Sequence, residues 1–163
     1  MSNATVTSAR PTQSAPADAA MQTLNITRET AIDAPVKTVW ESILEEIGDG
    51  AMHTGNQPMP MKLEPWPGGR WYRDLGDNAG PLWAHVQVIK PPKLLELTGP
   101  MFMSYPAMNH LQYRLTEQGA GTLLKLTHRA LGLIDPEHAK GVQQGWGEVL
   151  DNIRRIAERR RTA

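Results

Sequence analysis

Cysteine is absent from the 163 residues. That excludes disulfides, thiolate zinc sites, iron–sulfur clusters and cysteine nucleophiles. Net charge is absent too, because 17 Lys and Arg balance 17 Asp and Glu. A broad electrostatic grip on nucleic acid or anionic lipid therefore has no support. No run approaches the roughly 18 consecutive apolar residues of a membrane-crossing helix, so no membrane insertion is expected. The motifs GxSxG, HExxH, GxGxxG and the P-loop are all missing. The five histidines (53, 85, 110, 128 and 138) show no metal-ligand spacing. No metal and no cofactor are expected. The N-terminus has no basic segment followed by an apolar run, and with the missing cysteine this points to a cytoplasmic protein.

What is present is a globular composition, 40% hydrophobic and 21% charged. Residues 1–22 are rich in Ala, Ser, Thr and Pro without apolar periodicity, and read as a disordered tail. Residues 23–161 read as a single domain. Its first element is a strand at Leu24–Ile32. Asp33 is the expected cap of a helix with Pro35 near its start. Val36, Val39, Trp40, Ile43, Leu44 and Ile47 fit one buried helical face. Gly48–Pro60 reads as a loop.

Six strand-like runs follow: Met61–Trp66, Gly69–Leu75, Leu82–Lys90, Leu94–Thr98, Asn109–Glu117 and Gly121–Leu131. Pro65 marks the first of them as an edge strand. Short breaks with turn chemistry favour an antiparallel meander. Asp135 and Pro136 open a last helix with an apolar stripe of Val142, Trp146, Val149, Leu150, Ile153 and Ile156. Asp151 and Arg155 are spaced to pair at i, i+4. The order predicts an α+β fold in which a curved seven-stranded antiparallel sheet wraps around the long C-terminal helix.

Several segments, taken in order, carry a resemblance: Ile32-Asp33-Ala34-Pro35 with Val39-Trp40, Pro67-Gly68-Gly69, Val88 to Leu95, Gly121 to His128, and Gly145 to Ile153. Together they resemble the SRPBCC (START-related) superfamily, in the branch similar to the activator of heat-shock protein 90 ATPase. The resemblance covers residues 24 to about 158. It implies a helix-grip fold like that of the birch-pollen allergen and START lipid-transfer domains. Such domains hold a hydrophobic cavity between sheet and C-terminal helix. Family members bind lipids, polyketides or other apolar molecules, and some act as aromatases or cyclases. The family name also implies a chaperone partner.

Strand alternation proposes the cavity lining. Leu124, Leu126 and His128 share one face. Leu111, Tyr113 and Leu115 share another. Ala84, Val86 and Val88 are assigned inward, with Trp83, Gln87 and Ile89 outward. Val142, Trp146, Val149 and Leu150 face them from the helix. The segment 99–109, with Met101, Phe102 and Met103, reads as a lid. Trp66, Trp71, Tyr72 and Trp83 with nearby methionines either form a pocket mouth or cover the sheet ends.

His128 is the candidate catalytic residue: a ligand hydrogen bond or proton relay, or else a core histidine satisfied by a neighbour such as Tyr113. Trp146 either lines the cavity or plugs it. His128, Tyr113 or Gln87 would orient the ligand. Arg73 or Arg114 reaches a ligand carboxylate or stays solvated, and Glu64 pairs with Arg70 across a turn. Arg159–Arg161, without interleaved aromatics, argues against nucleic-acid binding. The expected function is binding of a hydrophobic or amphipathic small molecule. The alternatives are a cyclase- or hydrolase-type enzyme using a cavity histidine, and a chaperone-associated interaction domain. A homodimer stays open.

Overall fold

Two long hairpin-forming strands dominate the computed structural model, which describes residues 20–53 and 55–163. The expected N-terminal tail lies outside the described residues as far as position 19. The elements are β1 (Gln22–Ile32), α1 (Val36–Glu46), β2 (Met52–His53), β3 (Gln57–Pro58), β4 (Lys62–Leu63), β5 (Arg70–Tyr72), β6 (Leu82–Lys90), β7 (Leu94–Gly99), β8 (Ala107–Gln118), β9 (Gly121–Gly132) and α2 (Pro136–Thr162). Seven strands form one antiparallel sheet in the order β1-β9-β8-β7-β6-β5-β4. With α2 across its inner face, this is the helix-grip fold.

The strands at the β4–β5 edge are shorter than their apolar runs suggested. Pro65 has no N–H for a ladder. The chain turns instead, with Gly69 N–H donating to the Trp66 carbonyl. A Cβ on Gly69 would stand 1.9 Å from the Glu64 carbonyl oxygen, so only glycine fits this turn. The loop 48–60 contains a small hairpin, β2–β3, too short to show a strand period.

Two bulges in β6 correct the alternation expected there. Trp71 pairs with Ala84 and Tyr72 with Leu82, so Trp83 is the extra residue. Val86 pairs with Leu97 and Val88 with Glu96, so Gln87 is extra. A bulge re-aims side chains and flips the faces beyond it. Trp83, expected outward, packs edge-on against Trp71 and Phe102 at 5.1 and 5.5 Å. Ile89 packs against the core, whereas Val88 pairs with Glu96 on the outer side.

Helix α1 begins at Val36, with Pro35 in the cap position and no side-chain cap bond. Asp33 lies too early to cap it, and instead meets Arg161 of α2 at 3.3 Å. Val39, Trp40, Ile43 and Ile47 are buried. Asp135 does cap α2, its Oδ1 accepting from the N–H groups of Glu137 and His138 at 2.8 and 3.3 Å. Asp151 pairs with Arg154 rather than Arg155, which turns to Asn152. Arg160 is held by Glu41 and Glu45 of α1.

The buried stripe of α2 is Val142, Trp146, Leu150, Ile153 and Ala157. Each large apolar side chain so buried contributes roughly 1.5–3 kcal/mol. The helix packs on α1 and β1. Opposite β5, β6 and the middle of β8, the interior is not filled.

Candidate functional site

That gap is a cavity of about 580 Å³. Its walls come from five places: the end of α1 (Glu46, Ile47), the β2–β3 region (Met52, His53, Asn56, Met59), Trp71 and Trp83 of the sheet, Tyr113 of β8, and α2 from His138 to Asn152. Phe102 closes one side, and Met61 and Arg73 complete the wall. Met52, His53, Asn56, Gln144 and Glu148 are exposed, so the mouth lies between the β2–β3 hairpin and α2.

Two cavity-facing positions on α2 are Gly141 and Gly145, one turn apart. Each costs a helix interior about 1 kcal/mol relative to alanine. Neither backbone approach nor a strained dihedral demands glycine there, since a Cβ at either would meet nothing within 4 Å. Their effect is to keep the helix side of the chamber open.

At the inner end stand three polar side chains from three elements: Glu46 of α1, Tyr113 of β8 and Asn152 of α2. Glu46 is 4% exposed. Burial pushes its carboxyl up to about 8, against an opposing pull from Asn152, so it is mostly a neutral acid at pH 7. Tyr113 is fully buried, and its hydroxyl is the buried side-chain polar atom without a hydrogen-bond partner among the described residues. An orphaned buried hydroxyl costs about 1–3 kcal/mol. Burial, reinforced by the neighbouring Glu46 charge, raises that phenol well above its ordinary value.

His128 is elsewhere. It is fully buried on the inner face of β9, outside the cavity wall, in the row Leu97–Leu111–His128–Ile26. Trp146 Nε1–H donates to its Nδ1 at 2.9 Å. An indole nitrogen can only donate, so Nδ1 is unprotonated and Nε2 carries the hydrogen. Nε2–H then donates to Asn109 Oδ1 at 2.7 Å. Asn109 Nδ2 donates in turn to the carbonyls of Gly99 and Pro100 at 3.2 and 3.1 Å. Burial lowers the imidazole to about 4. The ring is neutral at pH 7 and both nitrogens are occupied. Its neighbours are Asn109 and Trp146, not Tyr113.

The expected site residues divide. Trp146, Tyr113, Phe102, Val142 and Val149 line the cavity. Leu124, Leu126, Val86, Leu150, Met101 and Met103 are buried in the packed core instead. Trp146 lies on the chamber wall, and its N–H makes a bond that was not expected, to the core histidine. Gln87 is exposed, bonds Thr98 across the strands and is not on the cavity wall. Arg73 is on the cavity wall, while Arg114 lies on the outer side of the sheet, in a smaller groove with Lys125 and Arg129.

Segment 99–109, expected as a lid, is anchored by the Asn109 amide and by a 2.7 Å bond between Tyr105 and His138. Glu64 and Arg70 pair as expected, Arg70 donating from Nε and a terminal nitrogen at 2.7 and 2.8 Å. The pairing lowers Glu64 to about 2, chiefly through the Arg70 side chain. Glu46 and Asn152 escaped the sequence reading. Glu46 falls seven residues after Val39 and three after Ile43, inside the buried helical stripe. A carboxylate in an apolar slot was the available signal.

Sheet, helix and chamber together define an SRPBCC-type helix-grip domain. The family model for Activator of Hsp90 ATPase homolog 1-like protein matches residues 33–158. The chain belongs to that family, which places it in the branch its sequence resembles. Solved structures share the fold. A protein of unknown function, SA2116 from Staphylococcus aureus, superposes with a TM-score of 0.64 at 11% identity, covering 88% of this chain and 98% of its own. CalU16 from Micromonospora echinospora gives 0.57 at 22% identity, covering 85% and 86%. DynU16, a protein in the dynemicin biosynthetic locus, gives 0.60 at 16% identity, covering 82% of this chain and 47% of its own. No curated protein matches. Among the described residues, no helix is long and apolar enough to cross a membrane.

Proposed function

We propose that the domain binds an apolar or amphipathic small molecule in the chamber between the sheet and α2. The observation that carries this reading is a 580 Å³ space walled by Trp71, Trp83, Phe102 and Trp146, with a mouth to solvent. Pockets for small ligands commonly have this size, an apolar lining and a few polar groups. Burying apolar ligand surface supplies roughly 25 cal/mol per Å² before the costs of association. Family membership and the fold shared with DynU16 are consistent with a small-molecule role. An enzyme built on a cavity histidine has less support, because His128 faces away from the chamber with both nitrogens engaged.

Thermal unfolding with a panel of fatty acids, fatty alcohols and fused aromatics tests this. At least one class is expected to raise Tm by several degrees. Gly145→Leu, which extends a side chain into the chamber, is expected to fold normally and lose that response. No shift with any class would contradict the proposal.

A further inference from the structure

The chamber is not uniformly greasy. Its inner end gathers a carboxyl, a phenol and a carboxamide from α1, β8 and α2. The Tyr113 hydroxyl is fully buried and has no partner among the described residues. A donor in that position is satisfied when a ligand oxygen reaches it. Gly141 and Gly145 keep the helix side of the same chamber open. We propose that Tyr113, Glu46 and Asn152 form a polar pole that selects a ligand ending in an uncharged oxygen, a phenol, alcohol or ketone, over the matching carboxylate. This rests on the small-molecule reading and names the ligand class.

Charge decides against a carboxylate. The other titratable groups on the wall are Arg73, His53, His138 and Glu148. His53 and Glu148 are exposed at the mouth, Arg73 and His138 half-buried. None of them acts on Glu46, where burial and Asn152 are the influences at work. An anion brought to the pole would lose its hydration beside a second acid, and the guanidinium that touches the pole, Arg155, is solvent-exposed and already donates to Asn152 Oδ1. An uncharged oxygen accepts from Tyr113 and exchanges hydrogen bonds with the neutral Glu46 carboxyl or the Asn152 amide without that cost.

Isothermal titration of the whole chain with naphthalene, 2-naphthol and 2-naphthoate at pH 6.5 tests the pole. The expected order is 2-naphthol at least ten-fold tighter than either of the others. Tyr113→Phe is expected to bring 2-naphthol down to the level of naphthalene while leaving naphthalene unchanged. Glu46→Gln keeps an uncharged hydrogen-bonding group and is expected to retain most of the preference. Equal affinity for naphthalene and 2-naphthol, a preference for 2-naphthoate, or an advantage that survives Tyr113→Phe would overturn the pole and leave the chamber standing. Binding of none of the three would overturn both. Circular dichroism of the variants separates a lost contact from a lost fold.

Discussion

The two sides of Trp146 solve the same problem in opposite ways. On one side, buried polar groups are linked without remainder: indole to imidazole, imidazole to Asn109, Asn109 to two backbone carbonyls. On the other, Tyr113 has no hydrogen-bond partner among the described residues and Glu46 is held as a buried acid. The first arrangement fixes α2 and the backbone at Gly99 and Pro100 to the sheet. The second leaves hydrogen-bonding capacity unused at a buried end of the chamber wall. A buried polar group with all its bonds made reads as structure, and one with bonds outstanding reads as a site.

The contrast breaks most severely at its structural end. His128→Ala strands both the Trp146 N–H and the Asn109 Oδ1 and leaves a cavity. It is expected to cost about 4 kcal/mol in urea unfolding. Little loss would mean that the chain of bonds does not hold the helix.

The pH dependence of stability separates the two buried titratable groups next. His128 has its folded value lowered to about 4 from 6.5. Its contribution is complete above about 6.5 and is lost as pH falls towards 4. Glu46 is raised from 4.5 to about 8. Its neutral form is favoured on folding, so stability is greatest below about 4.5 and declines as pH rises through 8. Between pH 5 and 9 the alkaline loss is expected to be on the order of 3 kcal/mol. Glu46→Gln should flatten that arm and leave the acid arm alone. An unchanged alkaline arm would show that Glu46 is not buried as an acid.

Tyr113→Phe removes an unpaired hydroxyl and is expected to raise stability by about 1 kcal/mol, measured by the same unfolding curves. A loss of that size would reveal a partner for the phenol. Smallest is Gly145→Ala, expected to stabilise by about 0.5–1 kcal/mol, since the new methyl relieves the helix cost without touching anything.

The parts of the fold set by local chemistry were legible in the sequence. Asp135 before Pro136 announced the start of α2, and the spacing from Val142 to Ile153 gave its buried face. Alternation placed Leu124, Leu126 and His128 inward together. It failed in β6, because a bulge leaves no mark in a period of two, and there Trp83 and Ile89 changed sides. His128 was visible as an unusual inner residue, but its partners lie 18 and 19 residues away in the chain and depend on strand register. The pole was least legible. Glu46, Tyr113 and Asn152 share no sequence neighbourhood and meet only when α1, β8 and α2 converge.

Whether the space beneath Trp146 receives a ligand can be seen directly. A crystal soaked with 6-bromo-2-naphthol locates the probe through the anomalous signal of bromine. A bromine peak is expected inside the chamber, with the ring against Trp71 or Trp146 and the naphthol oxygen within hydrogen-bond distance of Tyr113 Oη. A chamber closed by the protein's own side chains, or a probe bound only on the outer surface, would contradict it.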